Sequence, residues 1–270
     1  MKHSRNLIRL LQWVVVALLL FACATSPTGR KQLILLPDSQ MDQLGLASYA
    51  EMKKSQPIER DGTSNAYVSC VARAITNELT GKWAQQPWEV TVFKDDSANA
   101  FALPGGKIGV HTGLFKAAQN QHQLAAVLGH EVGHVLARHS NERVSTNLAA
   151  QTGLQITAAV LTGSEAKRQG IMAALGLGAQ FGVILPFSRT HESEADLIGL
   201  KLMAKAGFDP RESVTLWQNM GKLGGGKPPE FLSTHPSGKT RIRDLNKAMP
   251  EALALYQEAQ RKGKHPSCKR

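Results

Sequence analysis

Two histidines four residues apart, His130 and His134, lie in the stretch "VLGHEVGHVLARH", and Glu131 directly follows the first of them. Residues four apart share one face of an α-helix, so both imidazoles can present a ring nitrogen to the same metal ion. Glu131 is turned about 100° from that face, where it can act as a general base on a water held by the metal. The pattern H-E-x-x-H therefore predicts a zinc centre that hydrolyses peptide bonds.

The residues around this motif favour a metal centre over a helix with solvent-exposed histidines. Gly129 and Gly133 are poor helix formers that cost about 1 kcal/mol each relative to alanine, and they let another backbone approach closely. Apolar residues on either side predict a buried helix, and buried imidazoles require polar partners. These apolar residues are Val127, Leu128, Val132, Val135 and Leu136.

A catalytic zinc ion needs a third protein ligand and one open position. His139 lies half a helical turn off the face of the motif, which argues against it as that ligand. The later stretch "HESEAD" offers Glu192 and Asp196, which are four apart and share a face, whereas Glu194 points elsewhere. We expect one carboxylate to bind the metal and the other to accept the N–H of a ligating histidine. Their spacing does not decide which does which.

Four stretches of the chain resemble the metallopeptidases of family forty-eight, the group of the CAAX prenyl protease and the HtpX-like zinc peptidases. They are "NAFALPGG", "GHEVGHVLARHS", "LPFSRTHESEAD" and "STHPS", in that order. The opening "TGRKQLILLP" resembles the exported lipoprotein members from bacteria, and the similarity covers about residues 26–245. The resemblance implies an α+β, mostly helical, zincin-like (gluzincin) fold with a small β-sheet and one Zn²⁺ per subunit. It assigns Glu192 as the third ligand and Asp196 as the support of a ligand.

His235, in "STHPSGKTR", follows a loop rich in glycine and proline, and the resemblance places it near the cleft. A catalytic role there is either stabilisation of the oxyanion or closure of the open zinc position as a latch. The alternative is a histidine that merely caps a loop. Arg241, six residues later, is expected to form a structural ion pair.

The stretch "NAFALPGG" supplies a candidate substrate strand. Extended peptides bind many proteins by adding a strand to a sheet edge, and the alternative is an internal hairpin without a ligand. The candidate substrate-binding residues are Asn99, Ala100, Phe101 and Ala102.

Helices and a few strands must position these groups. Helices are predicted over 38–54, 65–82, 121–139, 188–207 and 238–262, with a strand over 88–94 and two short extended pieces around a Pro-Gly-Gly turn within 99–115.

The uncharged stretch 170–187 is eighteen residues long, but five of them are glycine or proline. We therefore expect a buried helix or a lipid-touching hairpin there rather than a membrane span.

The chain opens with a basic segment, followed by ten apolar residues, 13–22, and then Cys23. A membrane-spanning helix needs about 20 apolar residues, so this run is typical of a signal-peptide core. "LFAC" resembles a bacterial lipobox in which Cys23 is lipidated; a short N-terminal anchor is the alternative. The expected organisation is a lipoprotein signal peptide (1–22), a lipidated tether (23–33), a zinc metallopeptidase domain (34–262) and a C-terminal tail (263–270).

Cysteine usage fits an exported protein. If Cys23 is acylated, Cys70 and Cys268 remain in an oxidising compartment, where they either form a disulfide or stay as two free thiols. No Cys-x-x-Cys motif occurs in the sequence, which excludes a cysteine-based zinc site.

The composition indicates a globular chain, with 270 residues, 42% hydrophobic residues and a net charge of +11. The basic residues are scattered and form no nucleic-acid module, so a basic surface near anionic lipid is preferred over nucleic-acid binding. We expect a zinc endopeptidase of the bacterial envelope, lipid-anchored and facing the periplasm. Ala24 rather than aspartate follows the cysteine, which resembles outer-membrane sorting and favours the outer over the inner membrane. Expected partners are protein or peptide substrates, the membrane and envelope assembly proteins. The alternative is a chaperone-like binding factor with a structural or self-blocked zinc.

Overall fold

A computed structural model describes residues 23–152, 187–223, 230–235 and 239–270. The predicted signal peptide, 1–22, and the uncharged stretch up to residue 186 lie outside the described residues. In the described part of the chain, none of the helices combines the length and the apolarity needed to cross a membrane.

The architecture is α+β and mostly helical, as predicted. The strands are β1 (Cys23–Thr25), β2 (Lys31–Leu33), β3 (Glu89–Phe93), β4 (Ala100–Leu103) and β5 (Lys107–His111). The α-helices are α1 (Asp38–Ser55), α2 (Gly62–Thr76), α3 (Gln121–Leu136), α4 (His139–Thr152), α5 (Arg189–Lys205), α6 (Glu212–Lys222), α7 (Glu230–Thr234) and α8 (Lys239–Arg261). Short 3₁₀ helices cover Gly81–Trp83 and Thr112–Lys116.

A three-stranded sheet has the order β3-β5-β4. Strand β5 is central, pairs in parallel with β3 and pairs antiparallel with β4. The turn of "LPGGK" joins β4 to β5, which confirms the two predicted extended pieces. Strand β4 therefore lies at an edge of this sheet, and it packs against α3.

Helix α3 is the centre of the fold, and it packs against α2, α5, α6 and β4. Its glycines meet α5 at close range: a Cβ atom on Gly129 would lie 2.9 Å from the carbonyl oxygen of Gly199, and one on Gly133 would lie 2.9 Å from that of Ala195. A Cβ atom on Gly199 would lie 2.6 Å from the backbone nitrogen of His130. The expected approach of another backbone is thus observed, and α5 supplies it.

The predicted continuation of the motif helix to His139 is wrong. Helix α3 ends at Leu136, because Arg138 takes a left-handed φ of 57° that a continuous right-handed helix does not allow. The chain turns there and begins α4 at His139. As a result, the imidazole of His139 returns to the motif, and its Nδ1 lies 2.9 Å from Nδ1 of His134.

A disulfide joins Cys70 in α2 to Cys268 near the C-terminus, with their Cα atoms 5.7 Å apart. Of the two alternatives left by the sequence, the structure shows the disulfide. The backbone N–H of Cys268 also donates to the side chain of Gln121 at 2.8 Å, so the tail is fastened to the start of α3.

The predicted tether, residues 23–33, forms an antiparallel hairpin of β1 and β2, in which Cys23 pairs with Leu33. Strand β2 contacts α4. The segment is therefore docked on the helices, and its attachment to a membrane remains a prediction.

We predict that Gly199→Ala destabilises the fold by about 1–3 kcal/mol and weakens zinc binding, because the new methyl group would push α5 away from the backbone of α3. The matched control is Gly221→Ala in α6, where a Cβ atom meets nothing within 4 Å. This control should be neutral or stabilising by up to about 1 kcal/mol, since alanine is the better helix former. Urea unfolding and zinc competition with a chelator measure both effects. Equal behaviour of the two variants would contradict the close-approach argument.

Candidate metal centre

Four buried side chains converge at one point: His130 and His134 from α3, Glu192 from α5, and His235, which directly follows α7. One ligand atom from each lies within 4.8 Å of all the others. The two imidazoles share a face of α3, as their spacing predicts, and the first turn of α5 brings the carboxylate onto that face.

The distances fit a tetrahedral zinc ion. Zinc bonds of about 2.0–2.1 Å place the donor atoms of a tetrahedral site about 3.3 Å apart. The two Nε2 atoms of His130 and His134 are 3.0 Å apart, and they lie 3.5 Å and 3.4 Å from the carboxylate oxygens of Glu192. The Nδ1 atom of His235 is 3.3 Å from His130 Nε2 and 3.1 Å from Glu192 Oε1. Nitrogen and carboxylate oxygen donors are also the types that zinc prefers.

Glu131 is buried beside these ligands, with 2% of its surface exposed. Its Oε1 atom has no hydrogen-bond partner among the described residues and lies 3.5 Å from Nε2 of His235. Burial raises the pKa of this carboxyl, although the neighbouring histidines oppose the shift. A buried carboxyl with a raised pKa and a vacant acceptor is suited to take up and release a proton.

His130 is held through its second ring nitrogen. Its Nδ1 lies 3.0 Å from Oδ1 of Asp196, so the ring N–H donates to that carboxylate when Nε2 faces the centre. Arg241 donates to both oxygens of Asp196 at 2.6 Å and to Oε2 of Glu192 at 2.7 Å. The expected structural ion pair of Arg241 is thus confirmed. The arginine is buried and binds both Asp196 and the ligand Glu192.

The facing charges settle the ionisation of these two carboxylates. Burial opposes ionisation of Glu192, but the three histidines around it outweigh burial and hold its pKa well below the usual range. For Asp196 burial is likewise outweighed, chiefly by Arg241, and its pKa is lowered. Both groups are therefore carboxylates, which is the form that binds a cation or accepts an imidazole N–H.

His134 is held by His139 and Glu194, two residues for which the sequence analysis predicts no role. Its Nδ1 meets Nδ1 of His139 at 2.9 Å, and Nε2 of His139 lies 3.1 Å from Oε2 of Glu194. His139 is not a member of the ligand group, in agreement with the sequence argument, but it contacts a ligand. The position of His139 depends on the break between α3 and α4. That break is produced by Arg138, whose φ is left-handed.

Aromatic rings hold His235 in place. Its ring stacks on Phe231 with a centroid distance of 4.4 Å and on Phe187 at 5.2 Å. The backbone N–H of Phe187 donates to the carbonyl of Thr234 at 3.0 Å, which ties the start of α5 to the end of α7. His235 consequently faces the fourth position of the ligand group.

The candidate substrate strand lies directly beside the centre. Its residues Asn99, Ala100, Phe101 and Ala102 belong to or precede β4, and the backbone of Ala102 acts to lower the pKa of the Glu131 carboxyl. All four residues are buried in this conformation. Whether β4 pairs with a substrate remains a prediction.

Comparisons with known proteins agree with this geometry. The model of Peptidase family M48 matches residues 62–249. The mitochondrial metalloendopeptidase OMA1 of Arabidopsis thaliana is 45% identical over 193 residues, 70% of this chain and 37% of the relative. OMA1 of Schizosaccharomyces pombe is 43% identical over 188 residues, 69% of this chain and 53% of the relative. The beta-barrel assembly-enhancing protease of Yersinia pestis is 29% identical over 218 residues, 77% of this chain and 44% of the relative.

The chain therefore spans about half or less of the length of these relatives. The match covers the two helices that carry the ligand pair and the carboxylate, and the identity to the first two relatives extends over most of the chain. On these grounds the chain belongs to peptidase family M48, a family of zinc metallopeptidases.

Proposed function

We propose that this protein is a zinc-dependent endopeptidase that hydrolyses peptide bonds of protein substrates, with one Zn²⁺ held by His130, His134 and Glu192. The observation that carries the proposal is the convergence of these three ligands beside Glu131, whose buried Oε1 has no hydrogen-bond partner among the described residues. A structural zinc site has no need for a buried carboxylate that lies beside its ligands without being one of them.

Glu131 is the general base and acid of the reaction. Zinc supplies Lewis-acid chemistry when bound, since it polarises a carbonyl oxygen and lowers the pKa of water. Glu131 takes a proton from the attacking water and then passes it to the amine that leaves. Its raised pKa suits both steps, because a carboxylate with a pKa nearer neutrality is a stronger base toward water and can still give the proton to the more basic leaving amine. Asp196 holds the ring of His130 in the tautomer that keeps Nε2 free to bind the metal.

His235 acts as a latch in the conformation described. Its Nδ1 lies within 3.3 Å of His130 Nε2 and of a Glu192 oxygen, and its Nε2 faces Glu131. A substrate carbonyl has to reach this same space, so cleavage requires the ring to withdraw. Stabilisation of the oxyanion by His235 is the alternative role, and the two roles predict opposite effects of its removal.

The substrate binds in an extended conformation along β4. This strand has a strand partner, β5, on one side, and the backbone of its residue Ala102 influences the pKa of Glu131. A peptide that adds to the other edge through residues 99–102 would pass close to Glu131. Movement of the surrounding side chains is needed first, because these residues are buried in this conformation.

The protein works in the bacterial cell envelope, lipid-anchored at Cys23 after removal of residues 1–22 and facing the periplasm, more specifically at the outer membrane. The lipobox-like sequence and the similarity to a bacterial beta-barrel assembly-enhancing protease support this location. Its substrates are misfolded or membrane-associated proteins, and envelope assembly proteins are its partners. A second candidate function, a chaperone-like binding factor with a self-blocked zinc, is favoured by the position of His235 alone.

Glu131→Gln should retain zinc and lower the rate of casein cleavage by about 10²–10⁴-fold, because the amide cannot accept the proton of water. Zinc content by atomic emission and cleavage by a fluorescent casein assay measure the two properties. Glu51→Gln, on the exposed face of α1, is the control and should behave as wild type. Wild-type cleavage by the Glu131 variant would disprove the mechanism.

His235→Ala should increase peptide hydrolysis several-fold, because the fraction of molecules with an accessible centre rises. The control is His265→Ala, which changes an exposed histidine in the tail. Steady-state hydrolysis of a short fluorogenic peptide is the measurement. A decrease would contradict the latch and support the oxyanion role, whereas zero activity in both wild type and variant would support the binding factor.

A further inference from the structure

The segment that follows Cys23 is bound to helices α4 and α5, next to the metal centre. The hydroxyl of Thr28 donates to Oε1 of Glu194 at 2.5 Å, and Nε of Arg30 donates to Oε2 of the same carboxylate at 2.9 Å. The other two nitrogens of the Arg30 guanidinium donate to both oxygens of Glu142 at 2.7 Å and 2.6 Å. One arginine thus joins a carboxylate of α4 to a carboxylate of α5.

Gln32 strengthens the same junction. Its side-chain amide is buried and donates to the carbonyl of Ala137 at 2.6 Å and to Oε2 of Glu142 at 2.9 Å. Ala137 lies at the break between α3 and α4, where helical carbonyls lose their usual partners. The N-terminal segment therefore holds the turn that delivers His139 to the centre.

Glu194 is connected to the ligand His134 by hydrogen bonds through His139. When Nε2 of His134 faces the metal, its Nδ1 carries the proton and donates to Nδ1 of His139, 2.9 Å away. His139 then carries its own proton on Nε2 and donates it to Oε2 of Glu194 at 3.1 Å. In this series of hydrogen bonds each donor lies nearer the metal centre than its acceptor, and the series ends at the Glu194 carboxylate. His139 is fully buried and the Glu194 side chain is 3% exposed.

The two ligand histidines are supported in parallel ways. His130 donates to Asp196, which is paired with Arg241 of α8. His134 reaches a carboxylate through one additional imidazole, and that carboxylate is paired with Arg30. The second arginine comes from the N-terminal segment, 104 positions before the histidine that it supports.

We propose that Thr28 and Arg30 are positioning residues of the metal centre: they fix Glu194, which fixes the ring of His134 through His139. This inference rests on the proposed role of His134 as a zinc ligand. It gives a physical purpose to the "TGR" sequence, which the chemistry at Glu131 does not use.

The test compares Arg30→Gln with wild type in the full-length protein. Loss of groups that orient a ligand typically costs 10–100-fold in metal affinity, and we expect about 10-fold weaker zinc binding here, because Arg30 acts through two other side chains. Competition with a chromogenic chelator measures the affinity. The visible absorption of the Co²⁺-substituted protein reports ligand geometry separately from stability, and its bands should shift in the variant.

Two further variants make the result specific. Arg211→Gln removes an arginine from an exposed ion pair with Asp209, on which the metal centre does not depend, and should leave the zinc affinity and the Co²⁺ spectrum unchanged. Arg30→Lys keeps the charge and should restore part of the affinity.

If Arg30→Gln does not fold, Thr28→Val decides, since Thr28 is exposed and valine removes only its hydroxyl, which bonds Glu194 and Ser26. The Thr28 variant should weaken zinc binding and shift the Co²⁺ bands in the same direction as Arg30→Gln, by a smaller amount. Wild-type affinity and an unchanged Co²⁺ spectrum in the folded variants would overturn the inference. If His134→Ala binds zinc as well as wild type does, the assignment of the ligands itself fails, and that outcome is distinct from a failure of the Arg30 prediction.

Discussion

The close approach of two helical backbones determines the rest of this structure. Helices α3 and α5 meet at Gly129, Gly133 and Gly199, where even one methyl group would collide with backbone atoms. This distance allows the short side chain of Glu192 to meet two imidazoles on the opposite helix. A wider separation would leave the histidines of H-E-x-x-H without their third partner, so the cost of placing glycine inside helices is offset by the assembly of the centre.

Such an approach concentrates ionisable groups in a region that excludes water. Glu131, Glu192 and Asp196 are all buried, and isolated buried charges are strongly unfavourable. Arg241 counters two of these carboxylates and also covers the face of Trp217, with its guanidinium carbon 3.6 Å from the ring centroid. Glu131 has no such cation bound to it, and the resulting contrast in pKa separates this carboxyl, the proposed general base, from the two that Arg241 binds.

The sequence predicts those parts of the centre that depend on helical geometry. The shared face of His130 and His134 follows from their spacing, and the same argument separates Glu192 from Glu194. Only the family resemblance ranks Glu192 above Asp196 as the metal ligand. What spacing cannot predict is a contact that depends on a local break in a helix. In a continuous helix His139 would face away from His130 and His134. It contacts His134 only because the left-handed residue Arg138 breaks the helix before it. Partners from distant segments, such as Arg30, carry no periodic signal at all.

The link between Cys70 and Cys268 encloses every residue of the proposed centre in one covalent ring, while the segment with Arg30 lies outside it. A single cut of any peptide bond inside the ring leaves both fragments joined, and on an electrophoresis gel it becomes visible only after reduction. A cut between residues 33 and 69 instead separates the docked hairpin from the ring without breaking any sulfur bond. Gels run with and without reductant thus distinguish cleavage inside the disulfide-closed ring from cleavage that releases the N-terminal hairpin.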